Sequence, residues 1–171
     1  IGLLIVVFWV ACAIFGPWLV PHDPYADDLI NTLMPPSAEH WFGTDQLGRD
    51  VFSRVIVGAR DILTVAPLAT LISTILGTAL GLTMGYFGGW VDEVMGRIVD
   101  AVLALPTVIV ALLALTALGT SMITVMVVIA FSFAPIIART VRSAVLAERS
   151  LDYVAAAELR RESTFYILFM E

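Results

Sequence analysis

The chain has 171 residues, of which 60% are hydrophobic and 14% charged, with a formal net charge of −6. That balance is too apolar for a globule solvated on all sides and places the chain in a lipid bilayer. All nine Lys+Arg positions are arginine and there is one cysteine, so the chain cannot build a Walker A phosphate loop, a Schiff-base site, a disulfide framework or a CxxC metal site.

In chain order, the first apolar segment is residues 1–20, long enough to cross about 30 Å of hydrocarbon. Ala11-Cys12-Ala13 imitates a signal-peptide cleavage site, but the basic leader is missing and the apolar run is too long. Cys12 reads as a small packing residue. Residues 21–61 form a polar segment whose first part, rich in Pro21, Pro24, Pro35 and Pro36, is extended and turn-rich. Asp50 is an expected N-cap for a short helix through Ala59, lying at the membrane surface with Asp50 and Arg54 outward. A metal set drawn from His22, Asp23, His40 and Asp45 has no recognised ligand spacing, and solvated turn residues are the expected reading.

Three further apolar segments are predicted at residues 62–87, 101–118 and 122–138. None contains Asp, Glu, Arg or His, which argues against a proton or ion relay through the bilayer. In the first of them Gly77, Gly81 and Gly85 recur every four residues on one helix face. That is the small-residue device of membrane helix packing, serving either a contact within the chain or an interface with a second subunit. Gly88-Gly89 ends that helix, and Tyr86, Phe87 and Trp90 are expected to anchor at the interface. Pro106 and Pro135 are expected to kink their helices, as static bends or as hinges. Five of the nine arginines (Arg139, Arg142, Arg149, Arg160, Arg161) follow the last apolar segment, which places the C-terminal stretch in the cytoplasm and residues 21–61 outside.

Beyond that segment, Leu151, Val154, Ala155 and Leu159 recur at helical spacing among Glu148, Asp152, Glu158 and Glu162. This predicts a short amphipathic helix, too polar to span, whose apolar stripe needs a partner or the membrane surface. A new apolar run begins at Phe165, and the chain opens in the middle of another, so a fragment of a longer protein is the expected reading.

Two strings carry a family resemblance. Tyr153-Val154-Ala155-Ala156-Ala157-Glu158-Leu159, followed by Arg161 and Ser163, resembles the cytoplasmic coupling loop of permease subunits in binding-protein-dependent ATP-binding-cassette importers. The string Gly43-Thr44-Asp45, Gly48-Arg49-Asp50, Ser53-Arg54 is similar to the signature of the dipeptide, oligopeptide and nickel permease subfamily. Residues 85–92, with Asp100 and Pro106, match the same subfamily.

The resemblance implies an all-α integral membrane protein, the multi-helix transmembrane domain of a type I importer. It would comprise a first transmembrane helix at residues 1–20, an extracytoplasmic segment at 21–61, and a permease core at 62–171 with its coupling loop at about 143–165. It implies an ATPase-docking role for Tyr153 through Leu159, Arg161 and Ser163. The implied partners are a second permease subunit, two ATPase subunits that carry ATP and Mg, an extracytoplasmic solute-binding protein and the bilayer, with no nucleic acid, in a bacterial or archaeal plasma membrane. The chain itself would hold no cofactor, metal or catalytic site.

Two departures from the family pattern stand out: Ala155 where Glu is preferred, and Arg161 where Gly permits a tight turn. Arg161→Gly is therefore expected to strengthen ATPase association. The competing classes are a stand-alone carrier or channel, disfavoured by the absence of intramembrane charge, and a membrane scaffold, which needs no docking helix. Thr70, Ser73, Thr74 and Met84 are candidate pathway-lining side chains that name no solute.

Overall fold

The computed structural model describes residues 1–149, 151–160, 162 and 166. Among them the secondary structure is helical apart from one isolated bridge between Thr44 and Asp50. The helices are α1 (Gly2–Leu19), α2 (Val51–Phe87), α3 (Gly89–Leu103), α4 (Thr107–Leu118), α5 (Met122–Glu148) and α6 (Asp152–Leu159). Helices α1, α2 and α5 are each long and apolar enough to cross a membrane, and the bent pair α3 and α4 together makes a fourth candidate. The chain divides into two compact units, Ile1–Ala66 and Pro67–Glu171.

In the first unit, Cys12 of α1 is buried with Ile56 and Ala59 of α2, flanked by Trp9, Ala13, Val20 and Phe52. Gly16 permits this approach, because a Cβ there would lie 3.2 Å from the Ile56 carbonyl oxygen. The polar segment between the helices is knitted by backbone bonds from Asp28 N–H to the Leu47 carbonyl, Leu33 N–H to that of Asp45 and Thr44 N–H to that of Met34. The proline-rich half is therefore fastened to the signature half.

Two expectations fail here. The surface helix expected to end at Ala59 does not end: α2 runs on for 37 residues, about 55 Å of helix, because Arg60 and Asp61 interrupt hydrophobicity without breaking backbone hydrogen bonding. Asp50 does not point outward with Arg54. It is 3% exposed, and Arg54 instead reaches Asp45 at 3.3 Å.

In the second unit α2 ends at Gly88 and Gly89, whose φ values of 61° and 50° favour glycine. The apolar segment expected at residues 101–118 is not one continuous helix. Helix α3 stops at Leu103, Pro106 takes an extended conformation as the N-cap of α4, and the two axes differ by 83°. Pro17, Pro67 and Pro135 remain inside helices. Pro106 differs because its predecessor is pushed away from helical geometry just where α3 frays. Ser121 starts α5 by accepting the Thr124 N–H at 3.2 Å, and α5 continues past residue 138 to Glu148.

Candidate functional site

The central feature of the second unit is a seam between α2 and α5. A Cβ on Gly77 would fall 2.6 Å from the Ala134 carbonyl oxygen, one on Gly81 2.6 Å from that of Ala138, and one on Gly85 2.6 Å from Val145 Cβ. Real Cβ atoms do not approach so closely, so these three positions admit glycine alone without helix displacement. Of the two partners that the sequence left open, the glycine face here meets α5 of the same chain. Ala69 and Ser73 extend the four-residue spacing on α2, and Ala130, Ala134 and Ala138 repeat it on α5, all at most 4% exposed. Small side chains on both faces bring the backbones together, which maximises dispersion where lipid leaves no hydrophobic driving force. Ser73 and Met84 are buried in this packing, with Ser73 Oγ donating to the Thr70 carbonyl at 2.9 Å. Thr70 and Thr74, by contrast, are exposed.

At the end of the seam stands Tyr86, which is half-buried rather than a free interfacial anchor. Val154 and Ala157 of α6 pack against it, and the Arg149 guanidinium lies 5.8 Å from its ring centroid, a cation–π contact. Phe87 and Trp90, by contrast, are exposed. The apolar stripe expected on α6 is thus partly consumed inside the chain. Val154 and Ala157, three apart, face Tyr86, while Asp152, Ala156 and Leu159 occupy the opposite side and are exposed, Leu159 at 85%. Tyr153 Oη donates to Glu148 Oε2 at 2.8 Å, tying α6 to the last turn of α5. Arg161 and Ser163, with the apolar run from Phe165 except Tyr166, lie outside the described residues, as do the side chains of Ala155 and Glu158.

Beside the seam, charged groups of α3 and α5, with Met84 of α2, line a cleft of about 470 Å³. Arg142 grips Asp92 through one guanidinium edge, Nε donating to Oδ1 and Nη2 to Oδ2, the latter at 2.6 Å, and Arg139 pairs with Asp100. These bonds span 50 and 39 residues of sequence and are the chief residues that sequence reading missed. Only the excess of arginine after the last apolar segment hinted at acidic partners.

The signature string in the first unit is a structural lock. Gly43 and Gly48 have φ of 73° and 76°, and a Cβ on them would meet the Met34 carbonyl oxygen at 2.2 Å and that of Asp28 at 1.7 Å. Asp45 accepts the N–H groups of Leu47 and Arg49 at 2.8 and 3.0 Å, and Arg49 Nε reaches Asp27 at 2.6 Å. Thr44 Oγ1 accepts from Met34 N–H at 2.8 Å and donates to the Asn31 carbonyl. Asp50 caps α2 by accepting Ser53 N–H at 2.8 Å and Ser53 Oγ–H at 2.7 Å, and His40 Nδ1 contacts its other oxygen at 3.0 Å. Burial pushes the Asp50 carboxyl up, but the bonds from Ser53 and His40 outweigh it and hold the group below the usual carboxylate range.

Comparison with known proteins fits this architecture. Residues 77–171 match the family described as the binding-protein-dependent transport system inner membrane component, and residues 1–36 match the N-terminal transmembrane domain of oligopeptide transport permease C. The chain belongs to this family of inner membrane transport components. Among individual relatives it is 38% identical over 165 residues to the probable D,D-dipeptide transport system permease protein DdpC of Escherichia coli K12, covering 96% of this chain and 55% of that protein. It is 39% identical over 167 residues to the dipeptide transport system permease protein DppC of Bacillus subtilis 168, covering 98% and 52%. With the nickel transport system permease protein NikC of E. coli K12 it shares 36% identity over 159 residues, covering 93% and 57%. The chain spans about half the length of the curated relatives it matches.

Proposed function

We propose that this chain belongs to the transmembrane permease subunit of an ATP-driven importer for peptides or related small solutes, working by alternating access, with α6 as the element that docks on a separate ATPase subunit. The observation that carries the reading is the seating of α6: one face is packed on Tyr86 at the end of the glycine seam and the opposite face is exposed. A push on the exposed face passes through Val154 and Ala157 to Tyr86, and thence to two helices locked backbone to backbone. Packed small-residue interfaces move as bodies rather than deform. The ATPase would therefore shift α2 and α5 as one piece.

In this reading the assembly contains a second permease subunit, two ATPase subunits that bind ATP and Mg, and an extracytoplasmic solute-binding protein, in a bacterial or archaeal plasma membrane. The arginines gathered at the C-terminal end support a cytoplasmic position for α6. The docking role is assigned to Ala156 and Leu159 and to their neighbours Tyr153, Ala155, Glu158, Arg161 and Ser163, whereas Val154 and Ala157 serve as internal seats. Peptide-like solutes are favoured over nickel because more of the relatives reported above carry peptide names.

The test is affinity purification of the full-length protein from native membranes in mild detergent, with mass spectrometry of what co-purifies. ATPase subunits and a second permease are expected, and Leu159→Glu should reduce ATPase recovery at least about tenfold, equivalent to about 1.4 kcal/mol. Recovery of a folded, partner-free protein, or undiminished ATPase recovery with Leu159→Glu, would overturn the assignment.

A further inference from the structure

Outside the region used for transport coupling, the first unit gathers both histidines of the chain. His22 follows the end of α1 and His40 precedes the signature loop, yet their rings lie 4.8 Å apart. Glu39 joins them, so that one ligating atom from each of His22, Glu39 and His40 lies within 4.8 Å of the others. The sequence suggested Asp23 and Asp45 as their companions, but both are otherwise engaged. Asp23 accepts the Tyr25 N–H at 2.9 Å, and Asp45 serves Leu47, Arg49 and Arg54.

Two observations point from this cluster to a ligand. His22 Nδ1 is buried without a hydrogen-bond partner among the described residues. A buried imidazole nitrogen left unsatisfied costs free energy that a Lewis acid would recover. The second is the carboxylate behind His40: Asp50 holds its Nδ1 at 3.0 Å, which fixes the proton there and leaves Nε2 with a free lone pair. A carboxylate behind an imidazole is the usual outer support of a metal-bound histidine. The backbone is also set in advance. His40 N–H donates to Ser37 Oγ at 3.0 Å, and its carbonyl accepts from Ser37 and Gly43 at 2.8 and 2.9 Å, while Pro21 restricts the chain entering His22.

We propose that His22, Glu39 and His40 form a binding site for a divalent cation of the zinc class, which staples the segment leaving α1 to the cap of α2. Two imidazoles and a carboxylate are a donor set that suits a tetrahedral zinc ion with water in the fourth position. Glu39 is exposed and the histidines are half-buried, so the ion enters from solvent past the carboxylate. The role is structural. The staple closes the loop between residues 22 and 39 and holds His40 where it supports Asp50 and, through it, the first turn of α2.

The test uses full-length protein purified without a polyhistidine tag, stripped with a chelator and titrated with zinc against a chromophoric competitor. One zinc per chain should bind, cobalt in its place should give the intense visible absorption of a tetrahedral site, and zinc should raise the melting temperature. His22→Gln and Glu39→Gln remove ligands without removing any hydrogen bond described above, and each should weaken zinc binding at least about tenfold, on the order of losses seen when metal sites are perturbed. In wild-type protein, zinc should shield His22 and His40 from diethyl pyrocarbonate, read by peptide mass spectrometry. Absence of stoichiometric zinc binding by folded protein, unchanged affinity in both variants, or unshielded histidines would overturn the proposal.

Discussion

The signature loop of the first unit and the helix seam of the second both depend on glycine, for opposite reasons. Gly43 and Gly48 are needed for conformation, since their φ values are positive. Gly77, Gly81 and Gly85 sit in ordinary helical geometry and are needed for space, because α5 occupies the volume of a side chain. The loop is held by directional bonds that saturate its polar groups, and the seam by close backbone approach with scarcely a polar contact. A loop can yield by a small backbone shift; two packed helices yield only by separating along their length.

That contrast orders the expected damage. Gly81→Leu should be the worst, at about 3 kcal/mol or more by overpacking against backbone, seen as loss of monodisperse protein on fluorescence-detected size-exclusion. Gly48→Ala should cost about 2 kcal/mol, since left-handed geometry alone disfavours a side chain by about 1–2 kcal/mol, seen as a lower melting temperature with faster proteolysis within residues 21–50. A loop variant more damaging than the seam variant would reverse the comparison. Asp50→Ala removes the cap of α2 and should cost about 1 kcal/mol, with Asp50→Asn milder because an amide oxygen still caps. The smallest effect has the opposite sign. Gly58 lies within α2 with nothing inside 4 Å of a Cβ position, so Gly58→Ala should raise stability by about 0.5–1 kcal/mol. A loss there would mean that another subunit packs on that face.

How much of this was legible depended on the range of the interaction. Helices α1 and α5 announced themselves by uninterrupted apolar runs, Asp50 by its capping chemistry, and the seam by the interval between glycines. The continuity of α2 was hidden because Arg60 and Asp61 read as a boundary, although neither residue ends a helix. Pro106 read as one more kink, since nothing local distinguishes it from Pro67 or Pro135. The Asp92–Arg142 and Asp100–Arg139 pairs, the seating of Val154 on Tyr86, and the entry of Glu39 beside the histidines are tertiary facts with no local signature. The division of α6 into an inner and an outer face followed only once Tyr86 was found beneath it.

The lone thiol of this chain has a practical corollary. Cys12 is only 4% exposed, wedged between α1 and α2, so maleimide reagents should pass it by. A reporter cysteine introduced at Leu159 or Ala156 could then be labelled on the native background of this chain, and fluorescence or spin-probe distances would test the proposed docking role by showing whether α6 moves when ATPase subunits and nucleotide are added.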